Sequence, residues 1–322
     1  MQAIGCAMLL VCAGCQAQGL ARVVPERPAT VVANTVVSTV VGGELWVANF
    51  LGDRVTRHDA RTGALIGELG ATPELDGALG MDLGPDGRVY VASEESNRVL
   101  RYDAVTGAFL GRFVWDDPDS ERDETGGLAG PAAVLFGPDG ALYVSSFDGD
   151  AVLRYDGKTG EFIDEFVVAG AGGLNGPDAG MAFGPDGDLY VPGFYNHEIG
   201  RYDGVTGDFK EAFTPADGSL LAPRTLIFAG EDLLVTSEWR SAVLRFDGRS
   251  GAYRGDLVAA KAGGLHGAAG MVRLADASLA VVSLEADALL HFSPRGEPLA
   301  PLVVAAGLRG PTHVLHVASR VD

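Results

Sequence analysis

Side chains able to do covalent or metal chemistry are sparse in this chain. All three cysteines, Cys6, Cys12 and Cys15, fall in the first fifteen of 322 residues. The rest of the chain therefore has no thiol for a disulfide, a nucleophile or a metal thiolate. None of the six histidines shows His-x-x-x-His or similar ligand spacing. His197 and His266 read as loop hydrogen-bonders, and His58, His291 and His316 as structural. Nucleotide-dependent chemistry and serine hydrolysis lack their signatures: there is no Gly-x-Gly-x-x-Gly after a strand, no phosphate loop with Lys-Ser or Lys-Thr, and no Gly-x-Ser-x-Gly elbow. Acids outnumber bases 43 to 24, for a net charge of -19. That balance excludes a nucleic-acid binder, which needs clustered Lys and Arg. Asp117, Asp119, Glu121 and Asp123 alternate as in a calcium loop. Arg122, however, replaces the sharp-turn glycine at the sixth position and no acid follows at the twelfth, so a solvated acidic loop is expected. What remains is a set of carboxylates, Glu94, Glu238 and Glu285, with His197 and His266. Such a set could hold a hard divalent ion, Ca or Mg, and activate water or a leaving group if the fold brought it together.

The elements that would have to do so are legible as a repeat. The phrase Phe136-Gly137-Pro138-Asp139-Gly140-Ala141-Leu142-Tyr143-Val144, followed by Val152-Leu153-Arg154-Tyr155-Asp156 and Thr159-Gly160, returns along the chain. Its central position falls at Trp46, Tyr90, Tyr143, Tyr190, Leu234 and Ala280, with gaps of 44, 53, 47, 44 and 46 residues. That is the length of one four-stranded propeller blade. The predicted fold class is all-β, a six-bladed β-propeller of four-stranded antiparallel blades over 34–322. Pro-Asp-Gly supplies the fixed φ, side-chain acceptor and positive φ of a tight turn. Val89-Tyr90-Val91 and its copies are β-branched and aromatic strands. Val99 to Asp103 alternates apolar and polar as a half-exposed strand should. Asp59, Asp156, Asp203 and Asp247 recur at one turn position and read as turn caps. The C-terminal Gly310-Pro311-Thr312-His313-Val314-Leu315 is expected to close the ring in the blade of Trp46, with Val36 to Val41 beside or outside it.

With these motifs the chain resembles the NHL-repeat propellers and, more widely, the six-bladed superfamily of gluconolactonase-like lactonases and virginiamycin B lyases. The resemblance covers nearly everything after residue 35. It specifies fold strongly and function weakly, because the shared residues make turns and core. The lactonases carry metal ligands in Glu-Gly-Pro and Asn-Asp motifs; here the corresponding strings are Asn175-Gly176-Pro177 and Ala129-Gly130-Pro131. The lyases are similar at Ile199-Gly200-Arg201 and the Pro-Asp-Gly-Ala-Leu-Tyr run, and that likeness implies histidine and glutamate with a divalent metal at one end of the channel. RNA recognition, known for some animal NHL domains, is set aside because a domain of this charge repels phosphate.

If each blade runs inner strand first, the Pro-Asp-Gly and Asp-x-x-Thr-Gly turns share one face. The loops after the second strand and between blades share the other, and only that face varies from copy to copy. Its tips are Phe50, Glu94, Phe147, Phe194, Glu238 and Leu284, with Asn49, Tyr195, His197, Trp239 and Glu285 beside them. The inner strands add Asp178, Arg224, His266 and His313. Aromatics, carboxylates and a few bases suit a protein, peptide or glycan ligand. At the N-terminus, the apolar stretch Ala3 to Ala13 is too short to span a bilayer. Residues 1–15 read as a signal peptide. Its end, Cys12-Ala13-Gly14-Cys15-Gln16, resembles a lipobox, which implies lipidation at Cys15 and a cell-envelope location. Residues 16–33 are expected to be a linker with a candidate closure strand. The sequence thus points to an exported, lipid-anchored binding or scaffolding propeller, with a metal-dependent lyase or hydrolase as the alternative.

Overall fold

The computed structural model describes residues 42–117, 119–120, 123–304 and 307–318. The expected signal peptide, Cys15, the linker and Val36 to Val41 lie outside these residues. Among the described residues, 24 strands form six four-stranded antiparallel sheets. Blade 1 is built from both ends of the described chain: the C-terminal strand Pro311–Ala318 pairs with Gly43–Asn49, which continues to Arg54–Asp59 and Leu65–Glu68. The ring is therefore closed by the strand expected to close it. The other inner strands are Ala78–Leu83, Pro131–Phe136, Ala182–Phe183, Pro223–Ala229 and Ala268–Arg273, for blades 2 to 6 in order.

Each turn type has its own chemical cause. In the Pro-Asp-Gly turns the Asp86, Asp139 and Asp186 carboxylates accept the N–H two residues on and the hydroxyls of Tyr90, Tyr143 and Tyr190. Asp59, Asp156, Asp203 and Asp247 each accept two backbone N–H groups from their own turn, capping it as their recurrence suggested. The core is divided among the seams, because a blade buries its faces only against its neighbours. Six buried clusters fill the seams between adjacent blades, and the one between blades 2 and 3 also takes in Ala179 of blade 4. Three seams share one aromatic filling: Tyr90 packs edge-on against Phe113 and Phe136, Tyr143 against Phe166 and Phe183, and Tyr190 against Phe213 and Phe228, with ring centroids 4.7–5.2 Å apart.

Candidate functional site

The six variable tips occupy one equivalent position. The amide of each of Phe50, Glu94, Phe147, Phe194, Glu238 and Leu284 donates to the carbonyl of a residue that precedes its own blade's inner strand, Gly310, Gly77, Gly130, Gly176, Ala222 and Gly267 in turn, at 2.9–3.0 Å. Three residues beyond each tip comes a residue in left-handed conformation: Asp53, Asn97, Asp150, His197, Ser241 and Asp287, with φ of 47–61°. The side chain of each accepts a hydrogen bond from the amide of that same preceding residue in the next blade, at 2.7–3.1 Å. This latch ring joins all six blades on the tip face. The sequence reading missed it as a repeat because its members differ in type and share only an acceptor atom and tolerance of positive φ. His197 is the fourth latch. Its Nδ1 accepts from the Ala222 amide, and its ring packs against Trp239 in a T-shaped contact, centroids 4.9 Å apart.

Within this frame, three inner-strand and tip residues form a charged cluster at the channel mouth. Arg224 Nε donates to Asp178 at 3.1 Å, and its Nη1 pairs with Glu238 at 3.0 Å. The Asp178 side chain is fully buried and those of Arg224 and Glu238 are nearly so. Asp178 reaches Arg224 because the inner strands of blades 4 and 5 touch directly. The Gly180 amide donates to the Arg224 carbonyl at 2.9 Å, and a Cβ on Gly180 would lie 2.6 Å from the Thr225 Cα. Burial pushes the Asp178 and Glu238 carboxyls up while Arg224 pulls them back. Glu94 faces the same cluster with no ion pair among the described residues. Burial, reinforced by Asp178 and opposed by Arg224, raises its carboxyl to about 7.

An aromatic arc over blades 3 to 5 flanks the cluster. Phe147 packs 5.5 Å from Tyr195 and 6.1 Å from Phe194, and Phe194 lies 5.7 Å from Trp239. The Arg224 guanidinium sits over the Phe194 ring at 5.5 Å, joining arc and cluster. Tyr195 and Trp239 are 54% and 56% exposed, so the arc offers open aromatic area. Phe50 and Phe147 also cover the core between blades 2 and 3, so part of their surface is committed to packing.

Other nominated residues are placed elsewhere. Asn49 is fully buried, donating to Val47 and Thr56 and accepting from the Arg309 amide, which leaves nothing for a ligand. His266 and Glu285 are exposed at the rim of blade 6, held by Ser283 through the His266 backbone. His313 is buried on the closing strand, and its Nδ1 has no partner; burial lowers it to about 4. In the acidic loop, Asp123 is used up by Thr125 and the Gly127 amide. The carboxylates and histidines considered for Ca or Mg do not fit that role. Among the described residues no three His, Cys, Asp or Glu groups gather to hold an ion, and the cation between Asp178 and Glu238 is the protein's own Arg224.

No family model and no curated protein matches the chain. Solved structures do. A structure of the nidogen/laminin complex superposes with a TM-score of 0.67 at 14% identity, over 87% of this chain and 100% of that one. A protein of unknown function from Bacteroides caccae gives 0.65 at 12%, over 86% and 100%. A streptogramin B lyase gives 0.55 at 14%, over 87% and 80%. Likenesses at such low identity carry architecture and no activity, and on that architecture the chain is a six-bladed β-propeller.

Proposed function

We propose that this propeller is a binding or scaffolding module whose protein, peptide or glycan ligand lies on the tip face. We propose also that the chain is exported and held to the cell envelope by lipid at Cys15. One observation carries the binding reading: the latch ring repeats six times, yet the tips it holds differ, concentrating exposed Tyr195 and Trp239 beside a buried Arg224–Asp178–Glu238 cluster. A rigid frame with irregular tips is how a repeat scaffold builds a specific surface. Aromatic faces supply contact area at low conformational cost, and fixed charges orient a polar ligand. The nidogen/laminin complex, a chain of which superposes on this one, gives a precedent for this architecture in a protein complex.

The test is a peptide and glycan array probed with the labelled full chain and with Tyr195→Ala/Trp239→Ala. Binders lost in the double variant support the reading. Binders indifferent to it, or an array without binders, count against it.

A further inference from the structure

The seam between blades 5 and 6 departs from the filling used between blades 2 and 5. At the position of Tyr90, Tyr143 and Tyr190 it carries Leu234. Leu257 stands where the outer strands of blades 2 to 4 place Phe113, Phe166 and Phe213, and Arg273 where the next inner strand places Phe136, Phe183 and Phe228. Three rings are thus replaced by two aliphatic side chains and a guanidinium. A cavity of about 140 Å³ results, lined by Leu234, Leu257, Leu279, Asp232, Arg245 and Arg273 among others.

The same substitutions remove the aromatic rings that lie beside the arginines equivalent to Arg245 in blades 2 to 4. Arg57 pairs with Glu44, Arg154 with Asp164 and the Phe166 ring, and Arg201 with Asp186 and Asp188, while Arg101 of blade 2 has no ion pair among the described residues but lies over the Phe113 ring. Arg245 has no aromatic ring beneath it, since Leu257 has replaced it, and no tyrosine hydroxyl beside it, since Leu234 has replaced that. Its Nε is buried with no acceptor, as is that of Arg101, but Arg101 keeps the Phe113 ring that Arg245 lacks. Asp232, the carboxylate in the lining, is taken by Arg254. Arg273 likewise makes no hydrogen bond or ion pair among the described residues. Both of these guanidiniums line the same cavity. A buried donor lacking an acceptor is unfavourable, and an anion removes that penalty.

We propose that this seam is a binding site for a small organic carboxylate. The carboxylate meets Arg245 and Arg273, and the apolar body lies among Leu234, Leu257 and Leu279. The volume admits a body the size of a small ring, and the lining, open and mixed polar and apolar, suits a ligand with one charged end. The site opens beside Ala277 and Pro294, which belong to turns on the face opposite the aromatic arc. It is independent of the binding reading above.

The experiment is calorimetric titration of the full chain with benzoate, inorganic phosphate and benzyl alcohol. Benzoate is expected to bind one to one, at least tenfold more tightly than either comparator. Arg245→Met is expected to weaken it tenfold or more. The variant Leu234→Tyr/Arg273→Phe restores two of the three rings of the other seams and is expected to abolish binding while keeping the native circular dichroism and a melt at or above the parent's. No heat with benzoate, equal affinity for the neutral alcohol or for phosphate, or unchanged affinity in the refilled variant would each overturn the assignment.

Discussion

Asp287 holds the latch between blade 6 and the strand that closes the ring, which makes it the sharpest place to test the frame. Its Oδ1 accepts the buried Gly310 amide at 2.7 Å, and its backbone sits at φ 47°. Two costs are separable by substitution. Asp287→Gly relieves the left-handed backbone but leaves the Gly310 N–H without an acceptor, a loss of about 1–3 kcal/mol. Asp287→Ala adds the strain of an alanine in that conformation, roughly 1 kcal/mol or more. Asp287→Asn keeps both an acceptor and tolerance of positive φ, as Asn97 does in blade 2, and should stay within about 0.5 kcal/mol of the parent. For a domain of this size each kcal/mol moves the midpoint by about 2–4 °C. Urea and thermal melts of the three variants should therefore rank Asn, Gly, Ala from most to least stable. An Asn variant as unstable as the Ala variant would show that the acceptor is not what Asp287 contributes.

Removing residues after Leu308 deletes the inner strand of blade 1 and exposes the edge of Gly43–Asn49; cooperative unfolding should disappear, and an unchanged melt would refute this closure. Glu94 gives a pH signature. Its folded carboxyl is held at about 7 against an ordinary 4.5, so between those values the folded state keeps a proton that the unfolded chain has released. Glu94 therefore lowers stability as pH rises through that window. Glu94→Gln should remove that decline, and parallel stability–pH curves for parent and variant would contradict it. His313 acts in the opposite sense: folded at about 4 against 6.5, it lowers stability as pH falls through that interval, and His313→Asn should flatten the acid side of the curve.

The architecture was readable because its signals are local. Pro85-Asp86-Gly87 and Asp103 to Gly107 make their turns through hydrogen bonds spanning two to four residues, so their spacing exposes the strands between them. The charged cluster was only half readable. Asp178, Arg224, Glu238 and Glu94 could each be nominated from a variable position, yet their pairing depends on how closely the inner strands of blades 4 and 5 approach at Gly180. Asn49 stands next to a tip in sequence, yet its strand is buried from Leu45 onward and its side chain is spent on Val47, Thr56 and the Arg309 amide. His197 stood at a tip as well; its role emerged only from comparison with Asp53 and Asp150, which share its acceptor geometry and not its residue type. The Arg245 cavity had a sequence signal, Leu234 in a column of tyrosines, but its meaning required knowing that Leu257 and Arg273 meet there.

Amide hydrogen exchange of the full chain, with and without a ligand recovered from the array, tests the binding account most directly. Protection is expected at 147–150, 194–197 and 238–241, around the arc and the Arg224 cluster. Protection confined to the turns at 85–87, 139–140 and 186–187 on the opposite face, or none at all, would contradict it.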